Sequence, residues 1–414
     1  MKRTLFLLSI ITSCFIISCS DDDTINVNHK KCVVSNQNSR TYDEAYKLAQ
    51  KAASFIDEKD DVNNSTKRKI KSSTNQDICS SVVKTSQDGK DTLMYIFNYE
   101  NEKGFAIISA KNTTEGILAV TEDGNYIEGS AENDETGINL FLELAEKYIK
   151  ENDMPNRLDP VPFFISDTLH NQVFNLVRVK WGQRHPEGHY CPNGISGCVI
   201  TAIAQIMSYY EYPDSIELTY PGADMSVQHL DWDDIRSHIL YYPVNGNESP
   251  LYCSASDSAH NALGRLCRQL GHLFGSTYNP TSTGTVSSTI KQDLIDLGYN
   301  CNTLTSYTSG TSKTYLDQNK PLYLCGRTAQ DSGHGWVVDG YESLTIHSTY
   351  FDGTTENIFL LYNHVNWGWN GRNNGYFLDN VFDTTNYHSL DSSPYPPTAS
   401  YNFEYNIRYY VPYV

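Results

Sequence analysis

The sequence predicts an α+β fold in two parts, and three observations lead to this prediction. The chain has 414 residues, more than one ordinary domain needs, and 39% of them are hydrophobic, which suffices for a sizeable core. Its front part combines helical apolar spacing with a hairpin signal. Its rear part opens with an apolar helix and continues as short β-prone runs broken by Gly and Asn.

The first eighteen residues predict a signal peptide. Lys2 and Arg3 precede an apolar run, Leu5 to Ile17, that is too short for an ordinary transmembrane helix. The run ends at Cys19 in a pattern that resembles a bacterial lipobox, whose cysteine is lipidated, and an acidic Ser-Asp-Asp-Asp follows. We therefore expect an outer-membrane anchor at Cys19 and a tether over residues 19–38. A plain signal peptide, or lipidation of Cys14, remains an alternative.

Residues 39–170 are predicted to form a small α+β domain. The predicted elements are a helix within Ser39 to Glu58, a hairpin of Met94 to Tyr99 and Phe105 to Ala110, a strand at Ile117 to Val120, and a helix at Leu140 to Ile149. Prolines 155, 160 and 162 then mark a linker. Because this part contains no cluster of reactive side chains, an unrelated binding module would explain it equally well.

Residues 171–414 are predicted to form a second domain that contains the chemistry. Cys198 to Tyr210 is almost entirely apolar, which predicts a buried helix, and Pro213 prevents its continuation. The predicted strands of the last third are Leu322 to Cys325, Trp336 to Val338, Ile358 to Tyr362 and Tyr376 to Leu378.

The first candidate for catalysis is Cys198, at the start of that helix and directly after Gly197. A helix N-terminus favours a thiolate, which is the form that attacks a carbonyl. Alone, Cys198 is more simply explained as a core cysteine. His334 lies between two glycines, 136 residues later, and would supply a general base that titrates near neutrality.

Three further residues are candidates for supporting roles. Asn366 or Trp367 would orient the imidazole of His334, and the sequence does not decide between them. Gln183, 15 residues before Cys198, would join the Cys198 backbone N–H in an oxyanion hole.

Five ordered motifs resemble the streptopain family of bacterial cysteine proteases over residues 181–377. They are Trp181-Gly182-Gln183, Gly197-Cys198-Val199, Asp231-Trp232-Asp233, Gly333-His334-Gly335 and Asn366-Trp367-Gly368-Trp369. The front part is similar to the inhibitory propeptide of that family, through Tyr95 to Asn98 and Gly104 to Ala110. The resemblance implies a papain-like, two-lobed catalytic domain made as a zymogen, with no cofactor. It also implies substrate contacts near Gly333 and Thr285.

Two features depart from the family pattern. The segment from Gln183 to Cys198 is short, which weakens the oxyanion assignment. The segment between His334 and Asn366 is longer than expected and contains His347-Ser348-Thr349.

Other kinds of site are less well supported. His185, His189 and Cys191 would be metal ligands only if a helix aligned them, and Pro186 and Gly188 break one, so no metal is expected. Ser332 lacks a nucleophile elbow. Seven cysteines remain after Cys14, Cys19 and Cys198 are assigned, so they cannot all pair internally, and Cys253, Cys267, Cys301 and Cys325 are open candidates for disulfides.

The preferred function is therefore a lipid-anchored surface endopeptidase that cleaves proteins or peptides and is inhibited by its own propeptide. A papain-fold amidase acting on cell wall and an inactive surface-binding lipoprotein are the alternatives. The net charge of −18 argues against nucleic-acid binding, because such a surface repels phosphate.

Overall fold

The structure is a computed structural model that describes most of the chain. The described residues are 39–53, 77–86, 88–130, 137–153, 168–239, 243–244, 247–248, 253–327, 333–349, 355–385 and 406–414. The predicted signal peptide, the lipidated Cys19 and the tether lie outside them. Among the described helices, none combines the length and apolar character needed to cross a membrane.

The front part is a helix-flanked antiparallel sheet. Its elements are α1 (Tyr42–Ala52), β1 (Ile78–Thr85), β2 (Thr92–Tyr99), a 3₁₀ turn (Glu100–Glu102), β3 (Phe105–Ser109), β4 (Ile117–Thr121) and α2 (Ile138–Asn152). The predicted hairpin is confirmed, with Asn98 paired to Phe105. The first helix is capped by Thr41 rather than Ser39, because Thr41 and Glu44 form a reciprocal capping box.

The rear part supplies the remaining helices and strands. In chain order they are β5 (Thr168–Val173), α3 (Cys198–Tyr210), β6 (Ser215–Glu217), β7 (Val227–His229), α4 (Trp232–Ile235), β8 (Pro243–Val244), β9 (Asn247–Glu248), α5 (Asp257–Leu273), β10 (Thr277–Tyr278), β11 (Thr283–Gly284), α6 (Lys291–Asp296), β12 (Thr305–Ser306), α7 (Thr311–Leu316), β13 (Leu322–Arg327), β14 (Gly333–Thr349), β15 (Thr355–Asn366), β16 (Gly375–Leu378), α8 (Asp379–Phe382) and β17 (Arg408–Tyr410). The predicted buried helix, α3, is confirmed at both ends.

One sheet of eleven strands runs through both parts of the chain. Its order is β1-β2-β3-β4-β16-β15-β14-β13-β17-β12, and β5 pairs with β14. The two parts meet where β4 pairs with β16, with Val120 opposite Tyr376. Gln37–Val414 consequently forms one compact unit. The predicted boundary between residues 170 and 171 falls inside β5, which is paired along its length with the rear part.

Two hydrophobic cores lie within the described residues. The first joins α1, α2 and the front strands to rear residues that include Trp336, Trp367 and Phe377. The second surrounds α3 and includes Trp181 and Ile203. Cys198 packs against the second core, whereas the aromatic residues beside His334 belong to the first. The two predicted catalytic residues therefore come from opposite sides of a boundary between cores.

Candidate active site

Cys198 is the first residue of α3, as the sequence predicts. Gly197 caps this helix with φ 91°, in the region that favours glycine. A Cβ on Gly197 would lie only 2.9 Å from the backbone oxygen of Thr283. Glycine is therefore required here by the backbone angle and by the close approach of β11.

The Cys198 side chain is half-buried. Burial raises the pKa of the Cys198 thiol, and the backbone N–H groups of Gly335, Val199 and Cys198 itself oppose that rise. Gly335 directly follows His334, and β14, which contains both residues, packs against α3.

His334 is the second residue of β14 and lies opposite Gly326 on β13. Its Nε2 lies 3.1 Å from the carbonyl oxygen of Trp367. A carbonyl oxygen only accepts, so Nε2 donates and, in the neutral ring, Nδ1 has the lone pair that a general base needs. Burial lowers the pKa of His334 to about 4, against the opposing effect of the Trp367 carbonyl. The imidazole is therefore neutral in this structure.

The Asn366 side chain has other partners. Its Nδ2 donates to the carbonyl of Val179 at 2.9 Å. Its Oδ1 accepts from Gln205 Nε2 at 3.3 Å and from Gly368 N at 3.2 Å. Asn366 thus ties the end of β15 to α3 and to the segment before Trp181, while the backbone of Trp367 orients His334. In this structure His334 is thus hydrogen-bonded to a backbone carbonyl and not to the side chain of Asn366.

Gln183 lies in a segment that packs beside the start of α3. Its carbonyl oxygen accepts from the Ser196 N–H at 2.8 Å and from the Ser196 hydroxyl at 3.1 Å. Ser196 is two residues before Cys198, so these bonds hold the Gln183 segment beside the helix start. Gln183 itself is half-buried.

The two predicted substrate-contact residues flank the site. Gly333 is exposed at the start of β14, opposite Arg327. The Thr285 hydroxyl bonds the Ser276 hydroxyl at 2.7 Å. The residue of this segment that lies against Gly197 is Thr283, whose hydroxyl donates to the Ile195 carbonyl at 2.8 Å.

Comparison with known proteins relates each part of the chain to a protein family. The sequence matches the peptidase C10 family over residues 178–377 and the Spi protease inhibitor family over residues 35–155. Residues 178–377 belong to the peptidase C10 family. The chain is a C10 cysteine peptidase preceded by an inhibitory propeptide, which confirms the predicted α+β zymogen.

Three known proteins are similar to this chain. Streptopain of Streptococcus pyogenes is 27% identical over 318 residues, which cover 69% of this chain and 73% of that protein. The thiol protease/hemagglutinin PrtT of Porphyromonas gingivalis is 23% identical over 328 residues, or 73% of this chain and 35% of that protein. A solved fragment of prointerpain A from Prevotella intermedia has a TM-score of 0.49 and 22% identity, and the match covers 80% of this chain and 98% of the fragment.

The propeptide of this C10 peptidase contacts the His334 side of the site. Gly137 caps α2 with φ 72°. A Cβ on Gly137 would lie 2.6 Å from the Trp367 ring and 2.8 Å from His334 Cδ2. One turn further on, Phe141 packs edge-on against Phe377 at 4.8 Å between ring centroids. The propeptide therefore packs against the imidazole of His334, the predicted general base.

A second contact between propeptide and C10 domain is electrostatic. Glu122 of the propeptide is nearly buried and lies 3.3 Å from His364 Nε2 and 3.5 Å from Lys180 Nζ. His364 Nδ1 in turn lies 2.6 Å from Asp339. Burial acts to lower the pKa of His364, but the charges of Asp339 and Glu122 outweigh it and raise the pKa.

Sequence reasoning missed three parts of the site. The Trp367 carbonyl and the Gly335 N–H are backbone groups, and no residue type encodes their role. The contact of Gly137 with His334 had one available signal, a glycine immediately before an apolar helix.

Proposed function

We propose that Cys198 and His334 are the nucleophile and general base of a secreted cysteine endopeptidase. The single observation that supports this most directly is the packing of α3, whose first residue is Cys198, against β14, whose second residue is His334. The N-terminus of a helix favours the thiolate form of a cysteine. His334 would supply the base, because the tautomer fixed by the Trp367 carbonyl leaves a lone pair on Nδ1.

The reaction follows from these roles. His334 Nδ1 takes the thiol proton, and the Cys198 thiolate attacks the peptide carbonyl carbon to form a tetrahedral oxyanion. The imidazolium returns the proton to the leaving amine as the peptide C–N bond breaks. Water, deprotonated by His334, then attacks the thioester and regenerates the thiol. The Cys198 N–H and the Gln183 amide would stabilise the oxyanion in both steps.

Substrate would lie between β11 and the start of β14. The backbone near Thr283 and Thr285 forms one rim, and exposed Gly333 forms the other. The lack of a side chain at the exposed Gly333 leaves room for an extended peptide backbone to approach.

Catalysis is tested with the processed enzyme and a casein substrate. Cys198→Ala and His334→Ala should each lower kcat/KM by roughly 10⁴-fold or more, because the pair acts as a unit. Cys301→Ser, a half-buried cysteine outside the site, should retain activity. Wild-type activity in either active-site variant would exclude the assignment. Cleavage of peptidoglycan but not casein would favour an amidase, and inert wild-type protein would favour a binding lipoprotein.

Activation would follow cleavage between the propeptide and the C10 domain, within the predicted window of Asp153 to Val179. Residues 168–173 pair with β14, and the Val177 N–H donates to Asp339 Oδ2 at 3.1 Å. Because cleavage there would disrupt the catalytic sheet, we expect the cut within residues 154–167. N-terminal sequencing of the mature fragment tests this expectation.

The location proposed is the outer face of the bacterial outer membrane, through lipid on Cys19. Bacterial lipoproteins carry several acyl chains, which suffices for stable attachment. Cys19→Ser should release the precursor from membranes. A wild-type protein that protease cannot reach on intact cells would contradict surface exposure. Because Cys19 lies on the propeptide side of the cut, processing would free the catalytic domain unless the two fragments stay bound.

A further inference from the structure

Three metal-binding side chains converge at a position outside the C10 site. They are His238, which follows α4, Cys253, which forms an isolated bridge with His238, and His260 in the first turn of α5. Cys253 Sγ lies 3.3 Å from His238 Nδ1 and 3.2 Å from His260 Nε2. All three donor atoms lie within 4.8 Å of one another.

A buried carboxylate contacts the nitrogen of His238 that does not face the sulfur. Glu187 is fully buried, and its Oε1 lies 3.3 Å from His238 Nε2. A carboxylate accepts, so Nε2 donates to Glu187, and Nδ1, which faces the sulfur, is the nitrogen left for a metal ion. Metal-binding histidines in proteins usually donate their second N–H to such a carboxylate. The other oxygen, Glu187 Oε2, has no hydrogen-bond partner among the described residues.

We propose that His238, Cys253 and His260 bind a zinc ion, with Glu187 as the carboxylate partner of His238. Thiolate and imidazole donors suit zinc better than magnesium or calcium. In a tetrahedral zinc site, sulfur and nitrogen ligands lie about 3.5 Å apart, close to the separations seen here. The charges also balance, because one Zn²⁺ offsets the Cys253 thiolate and the Glu187 carboxylate. Three protein ligands leave the fourth position for water.

This site differs from the metal site that the sequence considered and rejected. His185 and His189 are exposed and lie ring to ring at 5.4 Å between centroids, and the His185 ring also lies 6.2 Å from that of His260, but neither residue belongs to the cluster of three donor atoms. The residues that converge are spread from position 187 to 260, so no local spacing in the sequence indicates them. Only the folded chain brings them together.

The ion would act on the peptidase by fixing the segment that contains Gln183. Glu187 Oε1 also lies 3.3 Å from the Gly182 N–H, one residue before Gln183. The Gly182 carbonyl accepts from Thr201 on α3 at 3.0 Å. Zinc bound to His238 would therefore hold Glu187, and through it the backbone beside the proposed oxyanion donor. Only this consequence rests on the proposed catalytic function.

Zinc binding is tested without any activity readout, in the full-length precursor with Cys198→Ala. This background removes the thiol of the Cys198–His334 pair, which could itself bind zinc. After treatment with a chelator and dialysis, the protein is titrated with Zn²⁺ and bound metal is measured by mass spectrometry. We expect one zinc per chain, and Co²⁺ in its place should give a thiolate-to-cobalt charge-transfer band.

Matched variants locate the ion. In the same background, Cys253→Ser should abolish the cobalt band, and His260→Ala should weaken zinc binding by at least tenfold. Cys301→Ser and His272→Ala, which change the same residue types away from the cluster, should bind as the parent does. No zinc uptake by a folded parent, or equal uptake in all variants, would overturn the proposal. His260 is only partly buried, so its variant tests the site even if Cys253→Ser fails to fold.

Discussion

The imidazole Nε2 of His334 is hydrogen-bonded to the backbone carbonyl of Trp367, at 3.1 Å. The group that fixes the direction of this imidazole is therefore part of the main chain. A substitution at position 367 changes the ring beside His334 but retains this acceptor. Asn366, the neighbouring amide, instead connects β15 to the Val179 carbonyl and to Gln205.

Asn366→Ala should consequently reduce stability more than catalysis. It removes three hydrogen bonds from a buried position, at about 1 kcal/mol each. The free energy of unfolding should fall by about 3 kcal/mol, whereas kcat/KM at a permissive temperature should fall less than tenfold. Trp367→Phe should likewise retain most activity. A loss above a hundredfold in Asn366→Ala, with unchanged stability, would show that the amide orients His334 after all.

Gly137→Ala should make the propeptide a poorer inhibitor. The new Cβ would meet the Trp367 ring at 2.6 Å and His334 at 2.8 Å. Gly129→Ala is the matched control, since Gly129 has φ 74° and nothing within 4 Å of its Cβ position. Both substitutions incur about 1–2 kcal/mol for the left-handed backbone, but only the first clashes with the site. Titrating each isolated propeptide into processed enzyme should give an inhibition constant at least tenfold weaker for Gly137→Ala than for the control.

Removing the propeptide should raise the pKa of His334 from about 4 towards its ordinary value near 6.5. At a pH below that ordinary value, His334 is protonated in the released domain, whereas the propeptide-covered imidazole stays neutral. The His334 contribution to propeptide affinity should therefore fall as pH falls. NMR titration of the imidazole, in Cys198→Ala precursor and in the Cys198→Ala catalytic domain, measures both values directly. Equal pKa values in the two forms would mean that the propeptide does not control solvent access to His334.

Glu122→Gln should weaken propeptide binding about tenfold or more, because it leaves His364 and Lys180 without the charge that they face across the interface. The raised pKa of His364 gives the sign of the pH dependence. The effect should be largest below that pKa and should diminish as pH rises through it. Comparing variant with wild type at each pH cancels the opposite contribution of His334.

The control for that experiment is Glu128→Gln. Glu128 is also a propeptide carboxylate, but it pairs with Lys84 of the propeptide itself and is exposed. Its loss should leave binding unchanged at every pH. Equal weakening by both variants would indicate a general effect of net charge rather than the Glu122–His364 contact.

Local patterns predicted the elements whose residues bury one strong face. The helix from Cys198 to Tyr210 and the hairpin around residues 101–104 have periodicities that determine their class. Helix α5 was overlooked, although Ser256 caps it and Ala259, Leu263, Leu266 and Leu270 follow helical spacing. Strand β1 was overlooked because it lies at the edge of the sheet, has no fully buried residue and does not alternate strictly between apolar and polar residues.

The sequence selected Cys198 and His334 as candidates, but it did not reveal the groups that lie around them. Cys198 and His334 are distinguished by residue type and by flanking glycines. The contact of Gly137 with His334, the carbonyl of Trp367 and the His238 cluster depend on pairings between distant segments. Those pairings follow from sheet order, which one sequence does not determine.

The pairing of β4 with β16 has a consequence for the processed enzyme. In the precursor, Gly375 is so close to Val120 that a Cβ would overlap its carbonyl oxygen. Departure of the propeptide would leave the outer edge of β16 with unpaired backbone N–H and C=O groups. Such an edge can form hydrogen bonds with an extended segment of another chain. The strand has only four residues, Gly375–Leu378, which limits how long a foreign strand could align there. Maturation would thus convert β16 from an interior strand into a short exposed edge strand. At high concentration, mature enzyme molecules would tend to associate through this edge.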